Sequence, residues 1–146
     1  MITLYTIGFT EKSAEKFFSL LETHGVTKVV DTRISNASQL AGFAKGKDLA
    51  FFARRIGNMD YGHELAFAPT KELLDRYRAK QMTWDEYATA YVNLLDMRQI
   101  AKHVHIEDLH QNCLLCSEHS PEKCHRRLLA EYLRSKEPDL QIIHLE

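Results

Sequence analysis

Along the chain, short apolar runs alternate with stretches whose apolar residues recur every three or four positions. The run "ITLYTIG" (2–8) is rich in β-branched residues and ends in glycine, the pattern of a buried strand. "SAEKFFSLLETHG" (13–25) predicts a helix, with Ser13 as its cap, an apolar stripe at Phe17, Phe18, Leu20 and Leu21, and Gly25 as its stop. "VTKVVDTR" (26–33) predicts a second strand, parallel to the first across a right-handed crossover. Further helices are predicted over 45–57, 70–80, 83–104 and 120–136, and further strands over 59–63, 112–118 and 140–145. This alternation predicts an α/β fold: a single three-layer domain over 1–146 whose mostly parallel central sheet of about five strands is covered on both faces. The most continuous apolar runs, "ITLYTIG", "KVVDTR" and "NCLLCSE", are expected as neighbouring inner strands, because burial on two faces demands such runs.

Composition narrows the picture. A chain of 146 residues that is 45% hydrophobic can fill one core. With 19 basic against 20 acidic residues the formal charge is -1, so no global field recruits nucleic acid and any polyanion binding has to be local. The 3 cysteines form an odd set without secretory context, which favours reduced thiols. No stretch approaches the roughly 20 apolar residues of a membrane span, and "MITLYTIGFT" has neither a basic start nor a long apolar core. The expectation is a cytoplasmic protein without a membrane partner.

Open parallel sheets bind ligands beyond the carboxyl ends of their strands. Polar residues collect at three such ends: Gly8, Phe9 and Thr10; Asp31, Thr32, Arg33, Ser35 and Ser38; Ser117, Glu118 and His119. Three loops can therefore face one crevice. In "LLCSEHSPEKCHRRLLA" (114–130), Ser120 is placed to cap a helix, Pro121 to take its first position and Glu122 its first turn. At about 100° per residue the apolar face centres on His125, with Cys124 and Arg126 flanking it and Arg127 turned to solvent. Strand alternation puts Cys113 with Leu115 on one face and Cys116 with Leu114 on the other. Cys113 then reads as a small core residue. The divergence of Cys113 and Cys116 disfavours a Cys₃His zinc knuckle, and a thioredoxin-like pair would need its thiols at a helix start, so no metal is expected. Cys116 and Cys124 sit where the fold places a site, and a thiol at a helix start near His and Arg can ionise near neutral pH.

Several stretches resemble the domain of unknown function 488 family: "YTIGFT", "DTR", "GF.K" at 42–45, "Y.H" at 61–63 and above all "LLCSEHSPEKCHR" at 114–126. The resemblance implies a compact α/β domain with polar positions at Asp31, Arg33, Cys116, Glu118, Cys124, His125 and Arg126. It adds Tyr61 and His63, in "DYGHEL", as site residues and implies no particular activity. The loop "DTRISNASQ" departs from the family pattern, which has Pro after the Arg and a further basic residue after the Ser.

Two functions fit these residues. In the first, an enzyme acts on an anionic small molecule, phosphorylated, nucleotide-like or a modified base. Cys116, Glu118, Cys124 and His125 supply catalysis, and Gly8, Asp31, Arg33, Ser38, Tyr61, His63 and Arg126 bind substrate. The arginines could equally serve stability, through buried pairs such as Asp31 with Arg126 or Glu118 with Arg33. In the second, a non-catalytic module binds nucleotides or nucleic acid through Lys45, Lys47, Arg54 and Arg55 with Phe43, Phe51 and Phe52 interleaved, although Phe51 and Phe52 share a helical face with Leu49 and Ile56 that reads as core. His103, His105 and His110 read as solvated loop histidines. No cofactor is legible.

Overall fold

The N-terminal β-branched run forms β1 (Ile2–Gly8) in a computed structural model that describes residues 1–37 and 41–146. Ser13, its side chain accepting from the Lys16 amide, starts α1 (Ala14–Thr23), which leads to β2 (Lys28–Asp31). There follow α2 (Gly46–Gly57), β3 (Asp60–His63), α3 (Lys71–Arg78), α4 (Trp84–Met97), the short α5 (Ile100–His103), β4 (Asn112–Cys116), α6 (His125–Lys136) and β5 (Leu140–Leu145). All five strands are parallel, in the order β3-β2-β4-β1-β5. The three runs expected inside the sheet are its three inner strands, and every residue of β4 is buried.

Each face of the sheet carries its own apolar layer. Phe17, Phe18 and Leu21 of α1 and Leu49 and Ala53 of α2 pack with Ile7, Val29, Cys113 and Leu115. On the other face, Tyr87, Tyr91 and Leu95 of α4 and Leu128, Leu129 and Leu133 of α6 pack with Leu4, Val30 and Leu114. The alternation of Cys113, Leu114 and Leu115 between the layers is the strand period of two read directly in space. Right-handed crossovers make this two-sided. From β1 the chain runs over the α1 and α2 face toward β3, whereas from β4 it returns over the α6 face to β5. The carboxyl ends of β1, β2 and β4 thus lie side by side where the connections diverge, the position at which open α/β sheets form their ligand crevices.

Three expectations need correction. The pattern over 83–104 is not one helix: Arg98 caps α4, Gln99 takes the left-handed region at φ 55°, and α5 begins anew. The segment 120–136 starts its helix only at His125, with Cys124 as N-cap and no side-chain cap. Ser120 instead accepts from the Glu122 amide within an irregular turn, so Ser120 and Pro121 do not open the helix. Phe51 is 55% exposed, and Ile56 is exposed too; Leu49 and Ala53 are the residues of α2 that face the sheet. Phe43 and Phe52 pack against the core around Phe17 and Phe18, while the Arg55 guanidinium lies over the exposed Phe51 ring. Two of the three interleaved aromatics are thereby spent on packing.

Candidate functional site

Strand β4 ends at Cys116, on the face that Leu114 presents to α6. The chain then makes an irregular excursion through residues 117–123 and re-enters helix at His125. This return brings Cys116, Cys124 and His125 together: one ligating atom from each lies within 4.8 Å of the others, and all three residues are buried. The Cys116 Sγ is 3.6 Å from His125 Nδ1. On the far side of the ring, His125 Nε2 lies 2.9 Å from the Thr32 carbonyl and 3.0 Å from Thr32 Oγ1. A carbonyl only accepts and the Thr32 hydroxyl itself donates to the Leu115 carbonyl, so Nε2 carries the proton. Nδ1 then presents its lone pair to the sulfur. Tyr91, also fully buried, meets the imidazole edge-on at 5.4 Å.

The two thiols at this ring differ in charge preference. The Cys124 thiol beside Cys116, the charge of Arg126 and the backbone amides of Ser117 and Glu118 together outweigh burial and hold Cys116 below the ordinary thiol value. Burial and the neighbouring Cys116 push Cys124 well above it. Cys113, wholly inside the α1 and α2 layer, is raised by burial and lies outside this cluster.

Arg126 is 0% exposed and faces no carboxylate among the described residues. It donates 2.7 Å to the Glu118 carbonyl, 3.3 Å to that of His119 and 3.4 Å to Thr6 Oγ1, and so braces the excursion after β4. Gly8 is indispensable to this arrangement, since a Cβ there would stand 1.6 Å from the Glu118 oxygen. Lys12, only 8% exposed, lies on the same side, 3.5 Å from His119 Nδ1, and burial and Arg126 hold its ammonium below the ordinary value. His144, whose Nδ1 is 2.6 Å from Thr6 Oγ1, is likewise lowered by burial and by Arg126.

Arg33 lies beyond the end of β2, against the layer of α1 and α2. Its Nε and Nη2 bind both oxygens of Asp31 at 2.9 and 2.7 Å, Nη2 also donates to the Ala44 carbonyl, and the guanidinium lies over Phe9. Burial opposes its charge, but the hydrogen bonds and charge of Asp31 prevail and raise its pKa. Its Nη1 is buried and has no hydrogen-bond partner among the described residues. The Tyr61 hydroxyl donates to Asp31 at 2.6 Å, and burial with that bond raises the phenol to about 12. His63 Nε2 lies 2.6 Å from the Arg33 carbonyl.

The structure thus brings together Cys116, Cys124, His125 and Arg126 with Gly8, and beside them Asp31, Arg33, Tyr61 and His63. Glu118 is separated from this set: its carboxyl group is exposed and only its carbonyl takes part. Ser38 lies outside the described residues. The buried pairing anticipated for the arginines is realised with a different partner, Asp31 with Arg33, and Arg126 has backbone carbonyls instead of an acid. Arg127 is not turned to solvent as expected; it pairs with Glu131 at 3.0 Å and lies over Trp84. Thr32, which orients the histidine, was placed among the polar residues at a strand end but given no role, and Lys12 was not singled out. Thr32 stood inside "DTR", but its role depends on the β2–β4 register, and nothing in "TEKS" marks Lys12 as buried. A protein-family model described as "Domain of unknown function DUF488" matches residues 13–133. No curated protein and no solved structure matches.

Proposed function

Because the chain belongs to the DUF488 family, whose description carries no activity, we propose from the geometry of the site that it is a thiol-dependent enzyme acting on an anionic, electrophilic small molecule. The observation that carries this reading is Cys116: a buried sulfur held toward its charged form, 3.6 Å from an imidazole nitrogen whose tautomer the Thr32 carbonyl sets. A nucleophile, a base and a third group that orients the base are the parts that covalent catalysis needs. In this scheme the Cys116 sulfur attacks the electrophilic atom, His125 Nδ1 takes the thiol proton where one is present, and the leaving group departs with its electron pair and that proton. The cations support the anionic character of the substrate. Arg126, whose charge acts on the sulfur, and Lys12, near His119, are buried without a carboxylate partner within ion-pair distance, and Arg33 Nη1 has no hydrogen-bond partner, all among the described residues.

Alkylation tests it. Cys116 is expected to react first with haloacetates, with a pH midpoint below that of an ordinary thiol, since its lowered pKa populates the thiolate at lower pH. Iodoacetate should be favoured over neutral iodoacetamide relative to free cysteine, and Lys12→Met should reduce that preference. Cys124→Ala should move the midpoint upward. Labelling of Cys113 first, or a Cys116 midpoint at or above the ordinary thiol value, would overturn the proposal.

A further inference from the structure

A nucleophile with its base uses one sulfur and one imidazole, yet a second buried sulfur, Cys124, shares the same few ångströms. We infer that Cys116, Cys124 and His125 form a binding site for one thiophilic divalent cation, zinc(II) by its chemistry, and that its occupancy silences the nucleophile. The binding claim stands on the geometry alone; its consequence for reactivity rests on the reading of Cys116 given above.

In a tetrahedral zinc site, a sulfur at about 2.3 Å and a nitrogen at about 2.0–2.1 Å from the metal stand about 3.6 Å apart. That is the separation of Cys116 Sγ and His125 Nδ1, and all three ligating atoms already lie within 4.8 Å of one another. The ring is also prepared as metal-bound histidines are: its other nitrogen donates to a backbone carbonyl, that of Thr32, which fixes the tautomer and aims the Nδ1 lone pair at the sulfurs. Two thiolates and one imidazole select zinc over hard cations such as magnesium or calcium. Within the ligand set, the two thiolates neutralise the dication. Three protein ligands leave the fourth position of the tetrahedron to solvent or to a substrate anion.

The step balances simply. The cation replaces the proton of Cys124 and any proton on Cys116, these protons pass to solvent, and both sulfurs donate an electron pair to the metal without change of oxidation state. The pair that Cys116 would use to attack an electrophile is then engaged. The sequence disfavoured a Cys₃His knuckle because Cys113 and Cys116 diverge, and the site does not use that pair: its ligands come from "C" at 116 and "CH" at 124–125, across a strand-to-helix return, while Cys113 faces the opposite layer.

The test is a cobalt(II) titration of the reduced, chelator-treated protein under nitrogen, with free thiols counted first. Wild type and Cys113→Ser are expected to develop a thiolate-to-cobalt charge-transfer band and tetrahedral ligand-field bands at one equivalent, both abolished by one equivalent of zinc(II). Cys116→Ser and Cys124→Ala should each lose the charge-transfer intensity and weaken binding at least tenfold. If reduced wild type binds no cobalt, or if Cys124→Ala binds it as wild type does, the metal site is wrong, whatever the variants do in folding. Cys124→Ala retains Cys116 and His125, so its alkylation separates the two claims. With the site correct, zinc(II) should protect Cys116 from iodoacetate in wild type and not in Cys124→Ala. Binding without protection would overturn the regulatory half. Failure of Cys116 to react in metal-free protein would count against the nucleophile and leave the metal site to the titration.

Discussion

At the scale of single residues, the site is held by positions whose chemistry is modest on its own. Gly8 closes β1, and its missing Cβ is what admits the Glu118 carbonyl, which in turn anchors Arg126. Gly8→Ala has no relief through a flexible neighbour, because the obstacle is backbone. It is expected to destabilise the protein by about 2–3 kcal/mol in urea unfolding and to raise the solvent access of Cys116, read by its alkylation rate. Tyr61 reports on the Asp31 and Arg33 pair. Its phenol donates to Asp31 and is raised from 10.0 to about 12, so the bonded neutral form contributes fully below pH 10 and is lost as pH rises through about 12. Tyr61→Phe should therefore cost about 1–2 kcal/mol at neutral pH, a difference from wild type that shrinks between those two pH values. A constant difference across the range would show that the hydroxyl bond contributes nothing. The resemblance pointed to Tyr61 and His63, but their bonds to Asp31 and to the Arg33 carbonyl depend on parallel pairing of β2 with β3, which a linear reading does not contain.

At the scale of elements, local signals were legible where a cap or a glycine ends a pattern, and misleading where the chain is steered from elsewhere. Ser13, Thr70 and Thr83 each accept from the amide three residues on, as their side chains predispose them to. Around Thr83 the capping box is complete, with Glu86 returning a bond to the Thr83 amide. Thr83→Ala should cost about 1 kcal/mol in thermal or urea unfolding, without change at Cys116, since α4 begins far from the crevice in sequence and its buried residues remain in place. "SPEK" has the same vocabulary and forms no helix. Arg126 bonds the carbonyls of residues 118 and 119 and Arg127 those of 121 and 122, and in a helix beginning at Pro121 the latter two would accept from amides four residues on.

At the scale of the whole molecule, the three inner strands carry the site, and their stability sets its rigidity. Native-state hydrogen exchange is expected to be slowest in β1, β2 and β4, whose amides are buried between two apolar layers, and faster in the edge strands β3 and β5. Slow exchange in β3 exceeding that of β4 would contradict this order. The amides of residues 117–123 should exchange faster than β4 and α6 on either side of them, because they belong to no ladder or helix. Rigid strand ends joined by an irregular, arginine-braced return make a frame in which Cys116 is fixed and the chain after it can adjust. Among the described residues no helix is long and apolar enough to cross a membrane.

The sequence by itself determined the five-stranded parallel α/β fold, the identity of the inner strands and the convergence of three strand ends, because apolar periodicity and connection handedness are properties of the chain read in order. It also determined that Cys113 and Cys116 face opposite layers, since a strand has a period of two. Tertiary structure alone decided which polar atoms meet. That Asp31 takes Arg33, that Arg126 takes carbonyls, and that Thr32 orients His125 toward two sulfurs all depend on the register between strands far apart in sequence and on the competition of buried charges for acceptors. Such pairings are set by distances of a few tenths of an ångström in a medium where an unpaired polar group is costly, and no pattern along the chain carries them.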